Sequence, residues 1–299
     1  MPESEARISI YDSSLMWGDM AFEMCRTFKK QTFKLWEHIE RLFKSLKSLE
    51  IDIPYSFDEI FNAHENLLIH NRNCFTEDDE IRSLINVSRG ILPLYQELLN
   101  DNGKPNVIIA CFPLRYIIKG MSKYYKTGVR AIIPSQRAIP EYLLDPKLKT
   151  RSRQHYMVAN LEIKHSDPEA WALLLSVDGY LTEFTGSNIF LVKQNKFELF
   201  TPKGNNCLRG ISRQYVMDIA RKQLKFEVIE KDLTLYDAYE ATEIFATCTP
   251  FCIMPVTKLN NKIVGNGEVG KTTKRLTQKW IEDVNCDFVN QTFNWDNNA

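Results

Sequence analysis

The sequence predicts an α/β or α+β fold in two domains, and three observations carry that expectation. With 299 residues, 44% of them hydrophobic, the chain can bury one large core or two moderate ones. Strand-like and helix-like stretches alternate along most of its length. Near the middle, Lys149 to Phe190 (KTRSRQHYMVANLEIKHSDPEAWALLLSVDGYLTEFTGSNIF) sets a lone lysine and a helix ahead of two apolar runs, WALLLSV and IFLV, with a DG turn and the acidic Glu183 between them. Those runs read as strands joined by a hairpin, with Glu183 and Asn188 at strand ends near a turn. A buried carboxylate and an isolated lysine are costly in a core unless partnered, so this stretch invites a ligand that uses both.

In chain order, RISIYD reads as a short strand and WGDMAFEMCRTFKKQTFKL as mixed strand and turn. Leu35, Ile39, Leu42, Leu46 and Leu49 recur at three- and four-residue spacing, which predicts an amphipathic helix over 35–49. Ser56 with Glu59 forms a capping-box pattern ahead of a second helix carrying Phe57, Ile60, Phe61 and Leu67. EIRSLINVSRG and PNVIIACFPL read as strands. The basic, weakly periodic RYIIKGMSKYYKTG that follows holds the linker, placed at 119–130 between a smaller domain (1–118) and a larger one (131–299). The second half opens with the strand VRAIIP, then a helix over 153–164, the hairpin, and the strand KFELFTP. Ser212 sits ahead of a helix on which Val216, Ile219 and Leu224 align. FEVIEKDLTLYDAYEATEIFAT gives strand, short helix and strand, Asn260 and Asn261 mark a hairpin turn, and LTQKWIEDV closes the chain as a helix.

Composition excludes several function classes. Lysine plus arginine balances aspartate plus glutamate, 38 against 38, so charge gives no reason to expect a nucleic-acid or anionic-membrane partner. The N-terminal MPESEARISI is charged, and no apolar run approaches the length of about 18 residues that a membrane span needs. Seven scattered cysteines suit a reducing compartment without a disulfide framework, and cytoplasm is the expected location.

Five stretches resemble the class IV aminotransferases, the pyridoxal-phosphate group that includes branched-chain and D-amino-acid aminotransferases and aminodeoxychorismate lyase. They are YDSSLMWGDMAFE at 11–23, HIERLFKSL at 38–46, Lys149 with YLTEFTGSNIFLV at 180–192, LRGISR at 208–213, and EIFATCTPFCIMPV at 243–256. The resemblance runs from Arg7 to about Leu276. It implies the two-domain D-amino-acid aminotransferase-like arrangement, fold type IV, a pyridoxal 5'-phosphate cofactor and a homodimer. The family has a further short strand ahead of the stretch that begins here with Arg7, which implies a shortened start.

The same resemblance assigns roles. A lysine is ordinarily a solvated surface group, but Lys149 falls where the family keeps the lysine that forms a Schiff base with the cofactor aldehyde and then moves a proton at the substrate α-carbon. Lys147, two residues away, is the competitor. Glu183 falls at the pyridine-nitrogen position, where a carboxylate keeps that nitrogen protonated. Arg41 in HIERL, Ile211 and Ser212 after Gly210 at a helix start, and Thr249 match the phosphate contacts, while Leu208 matches the residue packed against the cofactor ring. On the substrate side the implied positions are Trp17, Phe22, Arg82, Tyr156, Phe184 and Pro250. Arg82 is a candidate carboxylate anchor. Leu94, near the place where the D-amino-acid enzymes carry carboxylate-gripping residues, disfavours a D-alanine enzyme.

Three patterns lead elsewhere. GNGEVGKT at 265–272 satisfies the phosphate-loop pattern, yet fewer than 30 residues follow it, too few to complete a nucleotide-binding sheet. Cys207, Cys248 and Cys252 lack the spacing and histidine partner of a zinc site, so no metal is expected. NVS and NQT match glycosylation acceptors, which mean nothing without secretion. The expected activity is amino transfer between an apolar, branched-chain-like or aromatic amino acid and a 2-oxo acid. The competing expectations are a lyase-type elimination, an amine:oxo-acid aminotransferase, and a non-catalytic dimeric family member.

Overall fold

The computed structural model describes residues 1–101, 103–193 and 197–297. The first residues form no strand. Ile8 and Ile10 of the RISIYD stretch are 42% and 66% exposed, and its one pairing is the isolated bridge of Asp12 to Ile91, so local alternation alone does not make a strand. Next comes a short helix, α1 (Ser13–Trp17), in a stretch that the sequence reading left unassigned up to Trp17. The missed signal is Asp12, whose side chain accepts from Ser14 N at 2.8 Å as an N-cap, with Gly18 closing the helix in the left-handed region.

A four-stranded antiparallel sheet follows, in the order β2-β1-β3-β4, from β1 (Met20–Phe28), β2 (Gln31–Thr32), β3 (Ile81–Ser88) and β4 (Asn106–Pro113). Helices α2 (Leu35–Ser48) and α3 (Phe57–Asn71) cover one face. The predicted leucine stripe is buried there against Ala21, Cys25, Ile85 and Val87, and the Ser56–Glu59 capping box is formed. Between β3 and β4 lies α4 (Pro93–Leu99), which the sequence reading passed over. Its Leu94 and Leu98 are exposed, so no apolar stripe announces it. The other face of the sheet carries Phe22, Met24 and Arg26 towards the second half of the chain.

Helices α5 (Arg115–Ile118) and α6 (Ser122–Thr127) lead from β4 to β5 (Val129–Ile132); the expected linker at 119–130 thus holds α6 and the first residues of β5. Then come α7 (Gln154–Lys164), β6 (Trp171–Leu175), β7 (Leu181–Phe184), β8 (Ser187–Val192), β9 (Glu198–Pro202), α8 (Ile211–Asp218), β10 (Glu227–Lys231), α9 (Leu235–Tyr239), β11 (Glu243–Cys248), β12 (Cys252–Leu259), β13 (Lys262–Ile263), α10 (Lys271–Val284) and α11 (Phe288–Asn297). The strands form a nine-stranded sheet in the order β10-β9-β8-β11-β12-β5-β6-β7, with β13 paired to β12 off this path, and β7 pairs back onto β8, closing a ring. Inward residues such as Leu173, Leu181, Ile189, Leu191, Met254 and Val256 fill it. Outward residues Phe190, Phe245 and Ile253 pack beneath α8, α10 and α11. The hairpin read from sequence is in fact three strands, because the DG turn joins β6 to β7 and a second tight turn joins β7 to β8. The chain also continues past the helix expected to end it into α11, which buries Phe288 and Trp295.

The phosphate-loop look-alike has a structural explanation. The first turn of α10 points its N–H groups at Glu243, whose carboxylate accepts from Thr272 N, Thr273 N and Thr273 Oγ1, each at 2.8 Å. A Cβ at Gly270 would lie 1.9 Å from that carboxylate, so glycine is required there for packing. Glu243→Ala should cost roughly 1–2 kcal/mol through loss of this cap, read as a lower urea midpoint with unchanged slope; an unchanged midpoint would remove the cap from the account.

Candidate active site

The site forms where the small sheet meets the closed ring. The segment carrying Lys149 lies alongside β1 and bonds to it through the main chain: Phe22 N–H donates to Lys149 O and Arg151 N–H to Met20 O, both at 2.9 Å. This fixes Lys149 over the Phe22 ring, with Nζ 4.8 Å from its centroid. Burial, reinforced by the positive charges of Arg41 and Arg153, brings the Lys149 ammonium down to about 7. Lys147 is different, since its ammonium pairs with Asp145 at 2.9 Å.

Glu183 and Asn188 face each other across the β7–β8 pair. The Glu183 carboxylate is buried and accepts from Tyr156 Oη at 2.8 Å, Asn188 Nδ2 at 3.0 Å and Leu208 N at 3.3 Å. Burial still pushes its pKa up. A carboxylate has about four acceptor positions, so one remains for a further donor. Asn188 also donates to Leu208 O at 2.8 Å, locking the loop that leads into α8. A Cβ at Gly210 would lie 2.1 Å from Asn188 Oδ1, which explains the glycine in LRGISR.

Arg41 is oriented by a partner that the sequence reading missed. Glu23, in the middle of β1 and fully buried, accepts from Arg41 Nε and Nη2 at 2.7 Å each, and from the His38 ring at 2.7 Å. Although burial pushes the Glu23 carboxyl up, Arg41 and His38 outweigh it and hold it far below the ordinary carboxylate range. The available signals were an acidic residue inside a buried strand and the three-residue spacing of His38 and Arg41, which shares a helix face. Arg41 Nη1 donates to Arg209 O at 2.8 Å, leaving two of its five N–H groups uncommitted.

These groups converge on one partly open cavity that Met24, Arg41, Lys149, Arg153, Tyr156, Glu183, Leu208, Gly210, Ile211, Ser212, Thr247 and Thr249 all line. Gly210 supplies no side-chain cap to α8, so the first N–H groups of that helix stay open. The buried Thr247 hydroxyl has no hydrogen-bond partner. Both features suit an anion at this end of the cavity.

Several expected pocket residues lie elsewhere. Trp17, at the end of α1, is 74% exposed and does not line the cavity. Phe184 faces the interior of the ring, edge-on to Trp171, because adjacent strand residues point to opposite faces and Glu183 takes the face of the site. Pro250 acts through its carbonyl, which accepts from the buried Arg26 at 2.8 Å, and does not line the cavity. Arg82 stays on the small sheet, its Nε against Met24 Sδ at 2.9 Å and its guanidinium over Phe112. Phe22 supports Lys149 from just outside the lining. Among the described residues no cluster of His, Cys, Asp or Glu is arranged to hold a metal ion, and no helix is long and apolar enough to cross a membrane.

Residues 20–259, which carry every group in this cavity, match the family model of amino-transferase class IV. The chain belongs to that family. Among relatives of this class IV chain, a Methanocaldococcus jannaschii protein is 33% identical over 93% of this chain and 91% of its own; its name as a branched-chain-amino-acid aminotransferase is provisional. Arabidopsis thaliana branched-chain-amino-acid aminotransferase-like protein 1 is 30% identical over 92% of this chain, which spans 48% of that longer protein. Among solved class IV structures, a T.th. branched-chain amino acid aminotransferase with pyridoxamine 5'-phosphate superposes with a TM-score of 0.83 at 26% identity, covering 95% of this chain and 91% of that one. The Thermoproteus uzoniensis branched-chain aminotransferase with norvaline gives 0.80 at 26% identity, with 95% and 91% covered. The fold-type expectation agrees with these neighbours.

Proposed function

We propose that this class IV chain transfers an amino group between an apolar, branched-chain-like or aromatic L-amino acid and a 2-oxo acid, using pyridoxal 5'-phosphate. The observation that carries the proposal is the convergence of Lys149, Glu183 and the Arg41 end on one cavity. The residues fit the cofactor on this structure's own terms. Arg41 keeps free donors, the start of α8 is open, Thr247 has an orphaned hydroxyl, and Glu183 is a buried carboxylate that forms no ion pair among the described residues.

In this assignment Arg41, the N–H groups of Ile211 and Ser212, and the hydroxyls of Thr247 and Thr249 would hold the phosphate, and Leu208 would pack on the cofactor. When bound, the cofactor supplies an aldehyde that takes up the amino group and a ring that accepts electrons as the α-proton leaves. Glu183 would hold a protonated pyridine nitrogen, which would supply the positive partner that its burial calls for. Lys149, with its pKa near 7, is a free base in a large fraction at neutral pH, so it can take the α-proton and return it. Tyr156 holds the Glu183 carboxylate. The apolar preference rests on Met24 in the lining and on the named activities of the relatives. The seven cysteines are all unpaired, which supports a reducing location such as the cytoplasm. Exposed apolar side chains on α1, Leu15, Met16 and Trp17, support a homodimer.

Mixing the cofactor-loaded protein with a panel of L- and D-amino acids, aminodeoxychorismate and chiral amines tests this. Apolar L-amino acids should convert the bound cofactor to pyridoxamine phosphate and release the matching oxo acid. Pyruvate from aminodeoxychorismate with no response to L-leucine or L-phenylalanine would replace the proposal with the lyase reaction.

A further inference from the structure

The turn between β11 and β12, residues 249–251, lines the cavity through Thr249. Cys248 and Cys252 pair across its base. Cys252 sits in the left-handed region at φ 64°, a conformation that a residue other than glycine keeps only where its surroundings enforce it. Two side chains hold the carbonyls just ahead of it. Arg26 on β1 donates to Pro250 O at 2.8 Å, and Tyr125 on α6 donates through Oη to Phe251 O at 2.9 Å. Neither Arg26 nor Tyr125 lines the cavity, so any influence they have on it passes through the turn. Burial pushes the Tyr125 phenol well above its ordinary value, which keeps it protonated, and a donor, throughout the neutral range.

Tyr125 is itself held by the C-terminal helix. Asp296 on α11 accepts from Gly120 N at 2.7 Å and from Ser122 N at 3.0 Å, which fixes the start of α6. Lys126, next to Tyr125, has its ammonium 4.2 Å from the centroid of the Phe293 ring, and the Phe288 and Tyr125 rings lie 6.4 Å apart. Trp295 packs among Leu114, Ile118 and Met121 at the entry to the same helix. Helix α11 lies beyond residues 20–259 of the class IV match, and no step of the proposed reaction uses it. Its polar and aromatic side chains are directed instead at the element that carries Tyr125.

We propose that Tyr125 is a positioning residue for the phosphate contact of Thr249, and that α11, by anchoring α6, sets how strongly the cavity grips a phosphate-bearing cofactor. This rests on the cofactor reading given above. The Thr249 hydroxyl serves an anion only while the turn keeps its shape. Without the phenol, the carbonyl of the buried Phe251 loses that donor, and the turn is free to rotate towards another partner. The phosphate end then loosens, while the ring end, built around Glu183 on β7, keeps its own hydrogen bonds.

Two probes separate the two ends: pyridoxal 5'-phosphate and pyridoxal, which lacks the phosphate. Each is titrated into the cofactor-free full chain, and its Kd is read from the absorbance of the lysine adduct. In Tyr125→Phe the Kd for pyridoxal phosphate should rise roughly tenfold relative to that for pyridoxal. Asp296→Ala should shift the ratio in the same direction, and Asp296→Asn, which keeps an acceptor for one of the two N–H groups, should recover part of it. An unchanged ratio in folded Tyr125→Phe overturns the positioning role. Equal rises for both compounds overturn it too, because a tyrosine that only supports the fold would weaken both ends alike. An unchanged ratio in Asp296→Ala removes α11 from the proposal. If Tyr125→Phe fails to fold, the ratio in Asp296→Ala decides. A wild type that forms no adduct with pyridoxal phosphate refutes the cofactor reading and this role with it, whereas a wild type that binds, with variant ratios unchanged, refutes the role alone.

Discussion

Lys149→Ala should lower the rate of amino transfer by about four orders of magnitude, the range that loss of a positioned proton-transfer group produces. The phosphate-end donors belong to other elements, so the variant should still bind pyridoxal phosphate. Borohydride reduction of the wild-type holoenzyme followed by peptide mass mapping should place the adduct on the peptide bearing Lys149. An adduct on Lys147 rejects the assignment, and the Lys147–Asp145 pair is the reason not to expect it. Linkage gives the same lysine a second signature in cofactor-free protein. Its folded pKa of about 7 lies below the ordinary 10.5, so below pH 7 the charged ammonium is carried in both states and its burial weakens the fold. Between 7 and 10.5 the folded state has released a proton that the unfolded chain still holds, and stability climbs with pH through that window. Lys149→Met should therefore exceed wild type by roughly 2 kcal/mol at pH 6, with the gap closing as pH approaches 10.5. A gap independent of pH would mean that the lysine is not desolvated.

Glu183→Gln should fold and bind cofactor, yet slow the amino-donor half-reaction by about 10²–10³-fold, or roughly 3–4 kcal/mol of lost electrostatic stabilisation. The amide keeps the volume and can still accept from Tyr156, Asn188 or Leu208, but it cannot hold a protonated pyridine nitrogen with the strength of a carboxylate. Stopped-flow absorbance reads the effect directly. A half-reaction at wild-type speed in the folded variant would remove Glu183 from the mechanism.

How far the sequence discloses this molecule depends on which signals are local. The leucine stripe of α2 and the Ser56–Glu59 box of α3 are written within a few turns, and both appear as read. The lysine, the glutamate and the glycine before α8 come together in one cavity because they sit at element ends, where turn chemistry marks them. Glu23 and His38 escaped notice because a buried polar cluster has no period; it exists only once β1 and α2 are packed. Phe184 was misplaced for an avoidable reason, since a strand that turns Glu183 towards the site must turn its neighbour away. Helix α11 has weak periodicity, and its burial of Phe288 and Trp295 comes from tertiary packing. RISIYD failed in the opposite sense, as alternation without a partner strand.

The two main-chain bonds joining Phe22 and Arg151 to their counterparts on the adjacent segment have a mechanical meaning. The reactive amine is stitched to the edge of the small sheet, while the carboxylate that completes the chemistry belongs to the closed ring. The distance between them is therefore set by how the two bodies dock, with Arg26 clasping the Pro250 carbonyl across the same seam. Loosening that seam by any route, whether a distant core substitution or mild denaturant, withdraws amine and Arg41 together from Glu183 before either sheet has melted. The main-chain bonds of Phe22 and Arg151 travel with the small sheet in that separation, so their amide protons should stay protected after activity is lost and exchange only when the lysine segment itself peels from β1.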